Sequence, residues 1–287
     1  MGHDSDPTND LWIEAEEVAR VLNAVGDHVI QNMASRVILR YKQPNDVLLN
    51  LDQSAAELVR KEFARRFVTS QVWTEEDGTE YPSTDHPGVI WCIDPIDGSN
   101  NVALGLPLFG SLAARRRGGD HGVDVAVACS PIAGSTTLAV RGQGVKVLPT
   151  TWRSAPLRGG ESLADVTVSW VQGYGVVDST SELPETLWRQ LRTETRRVLS
   201  TWAPAVDLNL LAVGSVEAVV GVDVPDPERS VCELVGRECG AKVSTLTVRD
   251  QAAGRTLDVL IVANTRQFAA IERLLKSSCE SCQCIVE

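Results

Sequence analysis

The 287-residue sequence contains no apolar run approaching the roughly 20 residues that a membrane-spanning helix needs. Aromatic residues make up only 5% of the chain, and there are four histidines and seven cysteines. An odd, thinly spread set of cysteines argues against a disulfide-built scaffold and fits a reducing compartment. The opening MGHDSDPTND is polar and acidic, without the apolar core of a leader peptide. Asp6 stands where N-myristoylation wants Ser or Thr, so a cytoplasmic protein is expected. Surplus basic charge is also missing: 27 Lys and Arg stand against 38 Asp and Glu, a formal charge of −11. Nucleic-acid polymers and anionic membranes reward the opposite balance, so neither is expected as a partner. A small phosphorylated metabolite is still allowed, because a bound cation reverses the field locally.

What is present is an ordinary globular composition, 43% hydrophobic, long enough for one large domain or two intimate subdomains. Leu11, Ala15, Val18, Val21, Leu22, Val25 and Val29 form one helical stripe, which predicts a helix over 9–41 capped by Asn9 or Asp10. A second helix is expected over 53–67, with Leu58, Val59 and Phe63 inward. GVIWCID, LPLFGSLAA, VDVAVACSP and STTLAVRGQG read as strands. The Pro-, Gly- and Ser-rich stretch at 150–161 is the best internal boundary, dividing the chain into 1–155 and 156–287. Beyond it, ADVTVSW, SVEAVVGV and TLDVLIVA read as strands. PETLWRQLRTETRRVL, ERSVCELVGREC and TRQFAAIERLLKS read as helices. The pattern is α/β (α+β) in two layered halves. The tail SSCESCQCIVE, with Cys279, Cys282 and Cys284, lacks a fourth zinc ligand and ends in a Glu that suits prenylation poorly. It is expected to be a mobile tail with exposed thiols.

Carboxylates carry the chemistry. Asp52 opens the second helix, Glu75 and Glu76 lie in WTEEDG, and Asp94 and Asp97 lie in WCIDPIDGSNN. The strand delivers Asp94 to its end, and Pro95 denies the next ladder hydrogen bond and forces a turn. Asp97 then projects toward the space Asp94 faces, and Gly98 permits close backbone approach. Ser99 and Asn100 begin a helix or turn whose free N–H groups suit an anion. Carboxylates for Mg²⁺ beside N–H donors for phosphate are what metal-assisted phosphoryl transfer to water requires. The plainer alternative, that these aspartates only form and cap turns, applies to any isolated D-x-x-D-G. No cysteine or histidine joins the constellation, which argues against thiol or histidine phosphatase chemistry.

WTEE followed by WCIDPIDGSNN closely resembles the two signature segments of the inositol monophosphatase family of Mg²⁺-dependent, lithium-sensitive phosphatases. The resemblance extends from the first helix to RECGAKV. It implies a layered α-β-α-β-α sandwich of the inositol monophosphatase / fructose-1,6-bisphosphatase type, a homodimer, and hydrolysis of a phosphate monoester with two or three Mg²⁺ ions. By the same resemblance, Glu75 binds the first metal and positions the attacking water, Asp94 bridges two metals, and Asp97 binds the second. The Ile96 carbonyl and the Ser99 hydroxyl are further first-metal contacts. Gly98 and Ser99 supply phosphate-binding N–H groups, and Asp52 pairs with the Ser99 hydroxyl.

Two positions depart from that pattern. The family's last metal ligand is an Asp preceded by Trp; here ungapped counting lands on Glu228, preceded by Pro227. Glu228 is the expected ligand, Asp226 is its competitor if the turn is remodelled, and an impaired site that only binds phosphorylated ligands follows if neither serves. The bulky Ser230-Val231-Cys232 fits a shifted helix start. Inositol-specific members carry a ring-binding Glu where this chain has Gly221, which moves the expected substrate from cyclitol or sugar phosphates toward amino-alcohol phosphates or nucleotides. Gln172, Tyr174, Trp202, Ala203 and Pro204 are the other candidates for the substrate side, where aromatics either stack on a planar ring or pack in the core.

Overall fold

The computed structural model describes residues 7–43, 45–82, 88–118, 122–149, 162–177, 181–251, 253–281 and 284–286. Helix α1 (Pro7–Asn32) is followed by the hairpin β1 (Ile38–Gln43) and β2 (Asp46–Leu49). Next come α2 (Asn50–Arg66), β3 (Gln71–Thr74), β4 (Val89–Asp97) and α3 (Ser99–Leu104). Strands β5 (Gly110–Arg117), β6 (Val123–Ser130), β7 (Ser135–Val140) and β8 (Gly144–Leu148) close the first half. The second half runs β9 (Thr167–Gln172), α4 (Tyr174–Val177), α5 (Leu183–Glu194), β10 (Arg197–Leu199), α6 (Pro204–Ala212) and β11 (Ala218–Val222). It ends with α7 (Glu228–Glu238), β12 (Lys242–Asp250), β13 (Arg255–Ala263), α8 (Thr265–Ser281) and β14 (Cys284–Val286).

Two six-stranded sheets result, ordered β3-β4-β5-β6-β7-β8 and β10-β9-β11-β13-β12-β14. Alternation along the strands gives each sheet two apolar faces, and each face recruits helices. Val125, Val127 and Leu138 of the first sheet pack under the stripe of α1 and under Val59 and Phe63 of α2. The opposite face, with Leu112, Ala126 and Ala139, meets α6 and α7, which also cover Val219 and Val262 of the second sheet. The far face of that sheet is covered by Leu187 of α5 and Phe268 and Leu275 of α8. The five layers are the expected α-β-α-β-α sandwich. Contact between the layers is close: a Cβ on Gly110 would stand 2.4 Å from both the Cys129 carbonyl oxygen and the Ala205 methyl.

Several boundaries differ from the sequence pattern. The first helix stops at Asn32, so Asn9 and Asp10 lie inside it and do not cap it; residues 38–43 form a strand instead. Val37, Leu39 and Tyr41 continue the apolar count but at period two, and β1 pairs with β2 in a separate hairpin. The second helix begins at Asn50. The predicted helix over 184–199 ends at Glu194, because Arg197–Leu199 is taken up by parallel pairing with β9. Helix α6 is not anticipated, because it is buried between the sheets and apolar nearly all round, leaving no amphipathic period to read. Strand β12 is likewise not anticipated. The tail is built into the fold rather than mobile: Cys279 and Cys284 are buried, and β14 pairs with β12. Cys282 and the boundary at 150–161 lie outside the described residues. Among the described residues, no helix is long and apolar enough to cross a membrane.

Candidate active site

β3 runs parallel with β4 in the first sheet, and in the second β9 runs parallel with both β10 and β11. Parallel strands present their carboxyl ends at the same edge, the usual place for a ligand crevice in α/β folds. Here the ends of β3, β4, β9 and β11 line one cavity of about 260 Å³, whose walls include Glu75, Asp94, Asp97, Gly98, Ser99, Gln172, Asp223 and Glu228.

Each side chain is held by local bonding. After β3 the chain turns through Glu75–Asp77, and Asp77 Oδ2 accepts the Thr74 N–H at 2.9 Å, which closes the turn. Lys42 Nζ of the β1–β2 hairpin donates to Glu75 Oε1 and to Glu76 Oε1, both at 2.9 Å. At the end of β4 the pairing with β5 breaks register between Asp94 and Asp97, as Pro95 requires. Asp94 Oδ1 accepts the Ile96 N–H at 3.0 Å, and Asp97 Oδ2 accepts the Ala205 N–H of α6 at 2.5 Å. Gly98 has φ +95°, and a Cβ there would lie 3.1 Å from the Trp202 carbonyl oxygen, so only glycine makes this turn. Ser99 Oγ donates to Asp52 Oδ1 at 2.6 Å and lies 2.9 Å from the Ile96 carbonyl, while Asp52 Oδ2 accepts the Leu49 N–H.

Glu228, the first residue of α7, completes the centre. Carboxylate oxygens of Glu75, Asp94 and Glu228 all lie within 4.8 Å of one another. Full charges at that separation repel by roughly 3–4 kcal/mol per pair at an effective dielectric near 20. Glu228 Oε2 is buried and has no hydrogen-bond partner among the described residues. One oxygen from each of these three carboxylates is a set of hard donors that would suit a small divalent cation such as Mg²⁺. Asp226 is engaged elsewhere: its Oδ1 accepts both the N–H, at 3.2 Å, and the Oγ–H of Ser230, capping α7. Ser230 therefore serves the helix start.

Burial holds these acids above the usual carboxylate range. Asp94 is raised by burial, then by Glu75, Asp97 and Glu228. Asp97 is raised by burial and by Asp207 and Glu75, against the Ala205 N–H. Glu228 is raised by burial, then by Glu75. Asp52 is pushed up to about 7 by burial despite the Ser99 and Leu49 hydrogen bonds, and Asp207 to about 7 by burial. Burial works against the Lys42 ammonium, but Glu75 and Glu76 outweigh it and raise Lys42 above its ordinary range. The sign of the linkage follows. A carboxyl whose folded pKa exceeds its unfolded value of about 4 binds more protons when folded, so stability falls as pH rises between the two. In chelator, the melting temperature is expected to fall from about pH 4 to 7 through these groups. Saturating Mg²⁺ should flatten that slope, and a melting series with EDTA and with Mg²⁺ checks both.

Of the residues anticipated on the substrate side, Gln172, Tyr174, Trp202 and Pro204 line the cavity. Ala203 is buried 3.2 Å from the notional Gly98 Cβ, and Gly221 lies in β11 beneath the Val224 methyl; neither reaches the lining. Lys42, Asp46 and Asp207 line it unanticipated. The first two belong to the hairpin that the helical apolar count conceals. Asp207 has a legible signal, an acid inside the apolar run PAVDLNLLA, where an Asp is buried only with partners. Here those partners are the Ser169 and Thr201 hydroxyls.

Fold and site together define a class: layered α/β sandwich proteins that gather hard oxygen ligands at the carboxyl ends of parallel strand pairs. The chain belongs to the inositol monophosphatase family, whose profile matches residues 13–279. It is 30% identical over 209 residues to Nus factor SuhB of Salmonella typhimurium strain LT2, covering 72% of this chain and 74% of that protein. Among solved structures, it is similar to the extragenic suppressor protein suhB of Bartonella henselae, with TM-score 0.75, 18% identity, and 94% and 99% of the two chains covered. A structure of an IMPase/NADP phosphatase complexed with Mg²⁺ and phosphate matches with TM-score 0.72, 15% identity, and 92% and 95% coverage. At these identities the structural likeness shows the fold.

Proposed function

We propose that the protein is a Mg²⁺-dependent phosphatase that hydrolyses a small phosphate monoester. The observation that carries this reading is the cluster of Glu75, Asp94 and Glu228 carboxylate oxygens within 4.8 Å of one another, in the same cavity as the Gly98–Ser99 turn. Glu75, Asp94, Asp97, Glu228 and the Ile96 carbonyl would hold two or three Mg²⁺ ions. Bound there, Mg²⁺ supplies charge neutralisation for the phosphoryl and leaving oxygens and lowers the pKa of water. The chain's residues do the rest. Gly98 and Ser99, at the start of α3, direct backbone N–H groups toward the phosphoryl oxygens. The Ser99 hydroxyl, fixed by Asp52, orients the attacking water together with Glu75. As the water oxygen bonds to phosphorus, the ester P–O bond breaks, and the alcohol leaves with a proton while inorganic phosphate remains. The family match and the Mg²⁺- and phosphate-bound neighbour support this chemistry.

Phosphate release from a panel of cyclitol, sugar, amino-alcohol and nucleotide monophosphates tests it. Release is expected with Mg²⁺, is lost in EDTA, and returns when Mg²⁺ is restored. No release from any compound under any divalent cation would sink the enzyme reading in favour of a member that binds phosphorylated ligands without turnover.

A further inference from the structure

Resting on the phosphatase reading, we infer that the leaving group of the substrate carries a planar heteroaromatic ring, as in a nucleoside monophosphate, and that the ring docks in an aromatic subsite built on Trp202. A second cavity, about 360 Å³, adjoins the carboxylate cavity, and the two share Trp170, Gln172, Ser200 and Trp202. Three of the chain's seven tryptophans, Trp170, Trp188 and Trp202, line it, in a protein with only 5% aromatics. Core packing does not account for Trp202, a residue 39% exposed that lines both cavities. Tyr174 stacks on one face of the indole, with ring centroids 5.8 Å apart and planes 23° apart. Among the described residues, Tyr174 is the only ring stacked on it.

The backbone under Trp202 is strained to hold it there. Its φ is +55°, a region that is costly for a bulky non-glycine residue and persists only when neighbours over-determine it. They do so here. Asn101 Nδ2 donates to the Thr201 carbonyl at 2.8 Å, the Ala203 N–H donates to Thr201 Oγ1 at 3.1 Å, and the Trp202 carbonyl packs on Gly98. The turn that orients the phosphate site therefore also places the indole. Polar chemistry for a ring edge is present. Gln172 Oε1 accepts the Trp170 Nε1–H at 3.1 Å, which leaves the Gln172 amide N–H₂ as a donor. Glu185 is the one carboxylate in the second cavity's wall among the described residues, so this end suits a neutral ring and the other the phosphate.

The test pairs binding with turnover, using Trp202→Gly, which tolerates the positive φ and so keeps the fold, and Trp202→Phe as the conservative variant. Adenosine, which has no phosphate, is titrated by tryptophan fluorescence with Mg²⁺ present. Its affinity is expected to fall about tenfold or more in Trp202→Gly and to recover in Trp202→Phe, the scale of base–aromatic stacking. In wild type, kcat/KM for adenosine monophosphates should exceed that for glycerol phosphate, with that preference shrinking about tenfold in Trp202→Gly. Equal adenosine affinity in all three proteins would overturn the subsite, as would preference for glycerol phosphate over every nucleotide. Absence of turnover with Trp202-dependent adenosine binding intact would remove the phosphatase reading and leave the subsite standing.

Discussion

Asp94→Asn is expected to abolish Mg²⁺-dependent phosphate release, by at least about 10³-fold, while making the metal-free protein more stable. The two effects share one cause. Asp94 is buried at the centre of the cluster, within reach of Glu75 and Glu228, and its charge is worth having only when a cation is present to share. Removing the charge strips the ligand common to the site, at a cost comparable to or above that of removing a preorganised charge-stabilising group. The amide still offers an oxygen to the Ile96 N–H, so the turn survives. Without metal, relieving a buried like-charge contact should stabilise the fold by on the order of 1–3 kcal/mol, several degrees of melting temperature. Mg²⁺ at 100 times its dissociation constant should stabilise wild type by about 2.7 kcal/mol and the variant hardly at all. Melting with and without Mg²⁺, run beside the phosphate assay, reads both. A variant that keeps activity, or that loses stability in EDTA, would contradict this account.

Glu228→Gln and Asp226→Ala should separate cleanly in opposite directions. Glu228 Oε2 is buried without a partner, so its amide analogue loses cation affinity and at least about 10²-fold in kcat/KM, again with a more stable metal-free fold. Asp226 instead caps the first turn of α7 through Ser230. Its removal should lower stability by about 0.5–2 kcal/mol, the usual value of a helix cap, and leave turnover within a few-fold of wild type. The reverse outcome, activity lost in Asp226→Ala and kept in Glu228→Gln, would move the last ligand to Asp226 and require the turn to rearrange on metal binding.

Much of the site is legible in the sequence because it is local. Pro95 sets one backbone angle and Gly98 another, and between them the positions of Asp94, Ile96, Asp97 and Ser99 are determined within six residues. The pairing of Ser99 with Asp52 bridges 47 positions of sequence, yet the family pattern implies it, and it stands at 2.6 Å. Layering is legible too, since strands and amphipathic helices alternate in the second half. Helix α6 is not, because a helix buried on every side shows no period. Nor is the β1–β2 hairpin, whose apolar residues continue the count of α1.

By itself the sequence determined the family, the strand that ends in DPIDGS, and the acidic set from which a cation site is made. Tertiary structure brought Glu228 within 4.8 Å of Glu75 and Asp94 while Asp226 bonds Ser230, let Lys42 meet Glu75 and Glu76, and left Trp202 exposed at the cavity rather than in the core. The physical reason is range. A turn is governed by backbone angles within a few residues. The meeting of positions 75, 94 and 228 depends on two sheets packed through α6 and α7, and the bond between Asp226 and Ser230 forms only where α7 begins.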